Sequence, residues 1–248
     1  MTSSIALVTG GSKGIGRAVV RQLLRTGHRV ITCGRNATSW ADSIASEPEL
    51  AAADFIACDL TDSAQRSQLF ETIAQRYGRL DLAVNNAAQT NTARGSFLEA
   101  DPENALANLQ NDLWMPMTCL RHEVKLMLNG GAIVNISSIA GLRGVRVAPV
   151  YSTAKHGLEG FTRVMALECI GQGIRINAVA PGGIYTKRWE DRIARKEASQ
   201  DQIEKMPIPI GRFGRPEEIA EAVCWLLSPA SSYVVGHTLV VDGGFLLQ

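Results

Sequence analysis

Short apolar runs alternate along the chain with longer stretches whose apolar residues recur at helical spacing. The runs Ile5–Thr9, Arg29–Cys33, Phe55–Cys58, Leu80–Val84, Ala132–Ser137, Ile174–Ala180 and Thr238–Val241 are rich in Val, Ile and Leu and end in Gly, Asn, Asp, Ser or Pro. That pattern predicts strands. Arg17–Arg25 carries apolar residues at Ala18, Val19, Leu23 and Leu24 and is stopped by Gly27, which predicts a helix. Further helices are expected from about Ser63 to Tyr77, from Pro102 to about Leu128, around Tyr151 up to the breakers Gly171 and Gly173, and from Pro216. Gly34-Arg35-Asn36 reads as a turn, and the polar, charged stretch at about 185–206 reads as a lid. Strands alternating with helices imply βαβ crossovers, so the expected fold is α/β: one doubly wound domain over residues 1–248, with a mostly parallel sheet and helices on both faces.

Composition narrows the function. Of 248 residues, 46% are hydrophobic, enough for a substantial core. The net charge is +1, from 25 basic and 24 acidic residues, which argues against a nucleic-acid or membrane-surface partner. Cys33, Cys58, Cys119, Cys169 and Cys224 show no ligand spacing, and Cys33, Cys58 and Cys119 sit in apolar stretches. They read as buried thiols of a reducing compartment, and the four histidines are equally scattered, so no metal centre is expected. The N-terminal residues carry no secretory pattern and no apolar run is long enough to span a membrane, so a cytoplasmic location is expected.

Two stretches carry candidate chemistry. Gly10, Gly14 and Gly16 lie between a predicted strand and a predicted helix, where they permit a tight turn and leave helix amides free for a pyrophosphate. Tyr151 and Lys155 lie one helical turn apart on one face. An ammonium beside a phenol favours the phenolate, which suits a group that must give and take a proton. Ser138, just past an apolar run, could hydrogen-bond the same small polar atom that Tyr151 addresses, so the three form a plausible carbonyl-reducing site. A Tyr–Lys pair at this spacing is also common as a solvated helix face, and a glycine turn also serves packing.

Together, Thr9-Gly10-x-x-x-Gly14-x-Gly16, Asp59-Leu60, Asn85-Asn86-Ala87, Ser138, Tyr151-x-x-x-Lys155 and Pro181-Gly182 occur in an order that resembles the short-chain dehydrogenase/reductase family, from residue 5 to residue 244. The resemblance implies a seven-stranded Rossmann-type sheet with a nicotinamide dinucleotide across the strand ends. Gly10, Ser12, Lys13, Gly14, Ile15 and Gly16 would form its loop, and Asp59 would accept from the adenine amino group beside the Leu60 amide. Asn86 and Ala87 would line the adenosine ribose, while Pro181, Ile184 and Thr186 would lie at the nicotinamide end, the last two holding its amide. Tyr151 would be the acid in reduction and the base in oxidation, Lys155 would also hold the nicotinamide ribose, and Ser138 would polarise the carbonyl, a role Ser137 could share. Members of the family commonly place an Asn in the helix before the fifth strand, to anchor a water; here alignment puts Asp112 there, and a slip of one residue puts Asn111. Ala88 stands where glycine is usual.

Cofactor choice follows from charge. The second strand ends in Gly34 followed by Arg35, and Lys13 stands in the loop, so two cations and no carboxylate meet the ribose: NADP(H) is favoured over NAD(H). The substrate is expected to be a small carbonyl or secondary alcohol, contacted by residues 89–96, 139–146 and the lid. Lys187, Arg188, Arg192, Arg195, Lys196, Arg143 and Arg146 either attract an anionic substrate or form a solvated face. The chain looks similar to 3-oxoacyl-carrier-protein reductases, although the helix ends Leu128–Gly131 and Gly171–Gly173 lack the arginines usual where carrier protein docks. A 3-oxoacyl-(carrier protein or CoA) reductase and a catalytically silent regulatory or scaffold protein are the alternatives. Gly157 and Gly160 either pack against another helix in a homodimer or homotetramer or lie on the chain's own sheet.

Overall fold

The first apolar run becomes the middle of the sheet. β1 (Ile5–Thr9) pairs in parallel with β2 (Arg29–Gly34) on one side and with β4 (Leu82–Asn85) on the other. With β3 (Asp54–Ala57), β5 (Gly131–Ile136), β6 (Ile174–Pro181) and β7 (Thr238–Val241) these make seven parallel strands in the order β3-β2-β1-β4-β5-β6-β7. This computed structural model describes residues 3–88, 95–194 and 207–248. Strand order reverses between β1 and β4, and the carboxyl ends of those strands are where such a sheet opens a crevice.

Helices cover both faces, which is why the strands read as nearly unbroken apolar runs. Ala6, Val8, Val84 and Val134 point into a layer filled from α1 (Gly14–Arg25), α2 (Ala37–Ser46) and α8 (Pro216–Leu227). Leu7, Ile31, Ala83 and Ile133 alternate with them and meet α3 (Ser63–Tyr77), α5 (Met115–Leu126) and α6 (Pro149–Cys169) on the opposite side. Cys33, Cys58, Cys119 and Cys169 are buried free thiols in this second layer. Among the described residues no helix is long and apolar enough to cross a membrane.

Three differences from the expected elements have physical causes. Asn36 is not only a turn residue: its side chain accepts from the Ser39 amide at 3.2 Å and caps α2, a helix absent from the expected pattern. The run at Leu80 joins the ladder late, because the Leu80 amide is bound by Leu126 and the Asp81 carboxylate accepts from the Ile5 amide. The single helix expected over 102–128 is α4 (Pro102–Leu109), a π-helical turn over Gln110–Trp114, and α5. Pro116 explains the break: it has no N–H for the Asp112 carbonyl one turn back, and the Met115 amide reaches instead to the Gln110 carbonyl. Within the segment read as a lid, α7 spans Lys187–Ala194, and residues 195–206, with Arg195 and Lys196, lie outside the described residues. So do 89–94 of the expected substrate loop and the side chains of Arg188 and Arg192.

Candidate active site

The glycine loop is held from below by β4. Asn86 donates its side-chain amide to the carbonyls of Thr9 and Gly10 at 2.9 and 3.2 Å, while Thr9 Oγ1 accepts from the Asn86 and Ala87 amides at 3.0 Å each. Gly11 is bound to Thr32 Oγ1, and Ser43 donates to the Ser12 carbonyl. This crowding dictates glycine at 16, where a Cβ would lie 2.4 Å from both the Gly10 carbonyl oxygen and Asn86 Nδ2. Gly14, Ile15 and Gly16 thus begin α1 hard against the loop, with Lys13 extended at its cap.

Over this loop opens a cleft of about 420 Å³. It brings together Gly10, Ser12, Lys13, Arg35, Asp59, Leu60, Asn86 and Ala87 of the expected contacts, and Ala88 with them. Asp59 Oδ1 accepts from the amide and hydroxyl of Thr61, and the Asn86 amide nitrogen is turned to the loop backbone. Cys33 and Cys58 also line the cleft, and burial pushes their thiols up to about 12 and about 11, so they stay uncharged. Lys13 and Arg35 are exposed, with no ion pair among the described residues, and the N-terminus of α2, its Ser39 amide taken by the Asn36 cap, turns the positive end of its dipole to the cleft at Asn36 and Ser39. That end of the cleft is built for negative charge. Sequence reasoning missed Thr9 as the clasp of the loop, and Asn36 and Ser39 in the lining; the cap spacing Asn36-x-x-Ser39 was the available signal.

Pro181 ends β6; beyond it Ile184 is buried, its backbone bridged to Gly214, and Thr186 faces the loop, with Cγ2 3.5 Å from where a Cβ on Gly14 would stand. These three lie outside the cleft lining.

The other candidate residues meet where β5 runs into α6. Ser138 is partly exposed and its hydroxyl oxygen accepts from the Ala140 amide at 3.1 Å, capping a 3₁₀ turn, whereas Ser137 is buried. The turn lies on α6: a Cβ at Gly141 would stand 2.9 Å from the Lys155 carbonyl oxygen. Tyr151 is partly exposed in the first turns of α6. Lys155 is buried, donates to the Ile136 carbonyl at 3.1 Å and sets its ammonium 5.6 Å from the centre of the Tyr151 ring. Its remaining N–H bonds are uncommitted among the described residues, so they are available to a ligand. The π turn packs beside it, and both Asn111 and Asp112 are buried there, at 8% and 2% exposure. Leu113 sits over Gly157, whose Cβ would be 2.9 Å from Leu113 Cδ2, so that glycine serves the chain's own turn. Arg143, of the expected basic residues, stacks on the Phe245 ring at 4.9 Å.

A switch-point cleft over a glycine loop, next to a Tyr–Lys pair, defines a dinucleotide-dependent α/β oxidoreductase. Residues 10–246 match the family model described as "Enoyl-(Acyl carrier protein) reductase". The chain is 39% identical over 249 residues to carbonyl reductase family member 4 of Danio rerio, covering 99% of each. It is 36% identical over 247 residues to the 3-oxoacyl-[acyl-carrier-protein] reductase of Homo sapiens, covering 98% of each. Its fold matches a solved structure of actinorhodin polyketide ketoreductase with NADPH at a TM-score of 0.91 and 31% identity, over 98% of this chain and 97% of that one. The chain belongs to the short-chain dehydrogenase/reductase family. It is an NAD(P)-dependent oxidoreductase that interconverts carbonyl and alcohol.

Proposed function

We propose that the chain uses NADP(H) to reduce a ketone, with Tyr151 as proton donor, Lys155 and Ser138 as its partners and Asp112 as a water anchor. The observation that carries this reading is the buried Lys155 ammonium beside the Tyr151 ring. The cleft and the crowded glycine loop fit a dinucleotide, with Lys13 and Arg35 at the 2′-phosphate, Asp59 and Leu60 at the adenine, Asn86 and Ala87 at its ribose, and Pro181, Ile184 and Thr186 towards the nicotinamide. When bound, that group supplies or takes up the hydride.

The protein's own part is electrostatic and geometric. Ser138, whose oxygen already accepts from the Ala140 amide, turns its proton outward to the substrate oxygen. Tyr151 gives that oxygen a proton as negative charge develops, and the Lys155 cation stabilises the phenolate left behind. In alcohol oxidation the same groups act in reverse.

A 3-oxoacyl thioester as the ketone is favoured by the human relative's name. NADPH, as bound to the matched ketoreductase, supports the cofactor choice. Val164 and Leu167, exposed on α6 beside the unfilled space at Gly160, support a homodimer or homotetramer. The buried free thiols suit a reducing, cytoplasmic setting. Residues 185–206 are assigned as the lid of a single domain. The test mixes protein and NADPH with simple ketones and acetoacetyl-CoA and follows loss of nicotinamide absorbance. Turnover that disappears in Tyr151→Phe while NADPH still binds supports the reading; turnover that persists in that variant overturns it.

A further inference from the structure

Glu123 is a carboxylic side chain with no exposure, on α5 in the apolar layer. Its Oε2 accepts from Asn85 Nδ2 at 3.0 Å, and the same amide nitrogen donates to Asn135 Oδ1 at 3.1 Å. Asn135 then donates to Thr162 at 2.9 Å, and Thr162 to the Leu158 carbonyl at 2.8 Å. One polar chain thus ties α5, β4, β5 and α6 together inside the core. Two acceptors in it have no partner among the described residues, Glu123 Oε1 and Asn85 Oδ1. They belong to the two groups already joined by one hydrogen bond. A single proton on Oε1 supplies the donor that this pair of acceptors lacks.

Among the described residues no cation pairs with a charge there. Cys33 faces Glu123 from β2 and Cys119 from α5, and burial keeps both thiols protonated. Arg66 of α3 gives its guanidinium to the Leu60 carbonyl, and His122 stacks on Phe70. On α6, Lys155 is bonded to Ile136, and Glu159 to Thr238. Burial pushes the Glu123 carboxyl up to about 8, against the opposing pull of the Asn85 hydrogen bond.

We propose that Glu123 is a positioning residue for the dinucleotide cleft: as an uncharged acid it grips Asn85 and so fixes the end of β4, from which Asn86 and Ala87 clasp the glycine loop. The proposal rests on the cleft taking NADP(H). It goes beyond that reading by assigning a role to a group that touches neither cofactor nor substrate.

The test compares the full-length wild type with Glu123→Gln, which keeps a donor and an acceptor without charge, and with Glu123→Leu, which has neither. NADPH affinity is followed by fluorescence between about pH 6.5 and pH 9.5. Near neutral pH, Glu123→Gln should bind within about twofold of wild type and Glu123→Leu about tenfold more weakly. Above pH 8 the wild type should weaken relative to Glu123→Gln as the acid ionises. The infrared difference between wild type and Glu123→Gln should show the carbonyl band of a protonated acid at about pH 6.5, fading above pH 8. Absence of that band, binding in Glu123→Gln as weak as in Glu123→Leu, or full affinity in Glu123→Leu overturns the proposal. Should Glu123→Leu fail to fold, the band and the Glu123→Gln titration decide. A wild type that binds neither NADPH nor NADH overturns the cofactor reading and the positioning role with it, whereas the band alone reports the uncharged acid.

Discussion

The Lys155 ammonium is tied at 3.1 Å to the carbonyl of Ile136, the last residue of β5, while it lies 5.6 Å from the centre of the Tyr151 ring. A strand end therefore fixes the cation that a helix places beside the phenol. Losing the cation should harm more than losing the hydroxyl. Tyr151→Phe should lower kcat by about 10²–10⁴-fold with unchanged NADPH affinity. Lys155→Met should lower kcat comparably and also weaken NADPH, because its spare donors are the ones free for the ribose. Steady-state kinetics with a parallel binding titration checks both; unchanged NADPH affinity in Lys155→Met would remove its ribose role.

Charge at the far end of the cleft sets cofactor choice. Arg35 follows β2, Lys13 caps α1, and neither is neutralised by an ion pair among the described residues. A charge-assisted hydrogen bond to phosphate contributes roughly 1.5–3 kcal/mol, or about 10–100-fold. Arg35→Glu should therefore shift the kcat/KM ratio of NADPH over NADH at least about tenfold towards NADH. An unchanged ratio would show that the guanidinium does not meet the 2′-phosphate.

Gly16 is chosen by space. A methyl there would collide with the Gly10 carbonyl, which is backbone and cannot swing aside, and with the Asn86 side chain that holds it. Gly16→Ala should open the loop, raising KM for NADPH by tenfold or more on the order expected for lost phosphate contacts, and lower Tm. Wild-type values for both would mean that the loop has slack the geometry does not suggest.

What could be read in advance was whatever depends on local pattern. The seven strands, α1, α3 and the Tyr151–Lys155 face follow from periodicity and spacing, and Cys33, Cys58 and Cys119 are buried as their apolar settings implied. Two missed features were written in single residues. Asn36 caps α2, but in a polar stretch it reads first as a turn; Pro116 falls in the middle of the helix expected over 102–128 and marks a break, but a proline alone does not say that the turn before it widens into a π turn. Glu123 could not be recognised at all. Its neighbours Asn85, Asn135 and Thr162 come from distant parts of the chain, and only the assembled core makes that carboxyl unusual.

The start of α8 should make stability depend on acid. A hydrogen bond from Arg212, reinforced by the Arg215 amide, holds the Glu218 carboxyl down at about 2, against an ordinary 4.5. Because the folded value is the lower one, this contribution is present above pH 4.5 and is lost as the pH falls towards 2. The group is solvent-accessible, so the effect is modest: Glu218→Ala should lower Tm by a few degrees at most at neutral pH. The difference should close near pH 2. A Tm difference that stays constant down to that pH would assign the loss to contacts that protonation leaves in place, not to the ion pair, since alanine is no worse a helix former than glutamate.

The π turn offers its own discriminating case. Pro116 prevents a regular turn, and the widened one carries Asn111 and Asp112 into the protein together, beside α6 where Leu113 rests on Gly157. Either could anchor a water that passes protons on from Lys155, but they differ in what a substitution removes. If Asp112 is the anchor, Asp112→Asn keeps a polar group in place and should retain most activity. Asp112→Ala should lose about 10-fold or more in kcat, with NADPH affinity close to wild type, since only proton delivery is touched. Asn111→Ala should then cost little beyond stability. The opposite result, an active Asp112→Ala beside an impaired Asn111→Ala, would move the anchor one residue back. Measuring kcat for all three across pH separates a relay defect, which changes the pH profile, from a loosened turn, which lowers Tm and leaves the profile's shape intact.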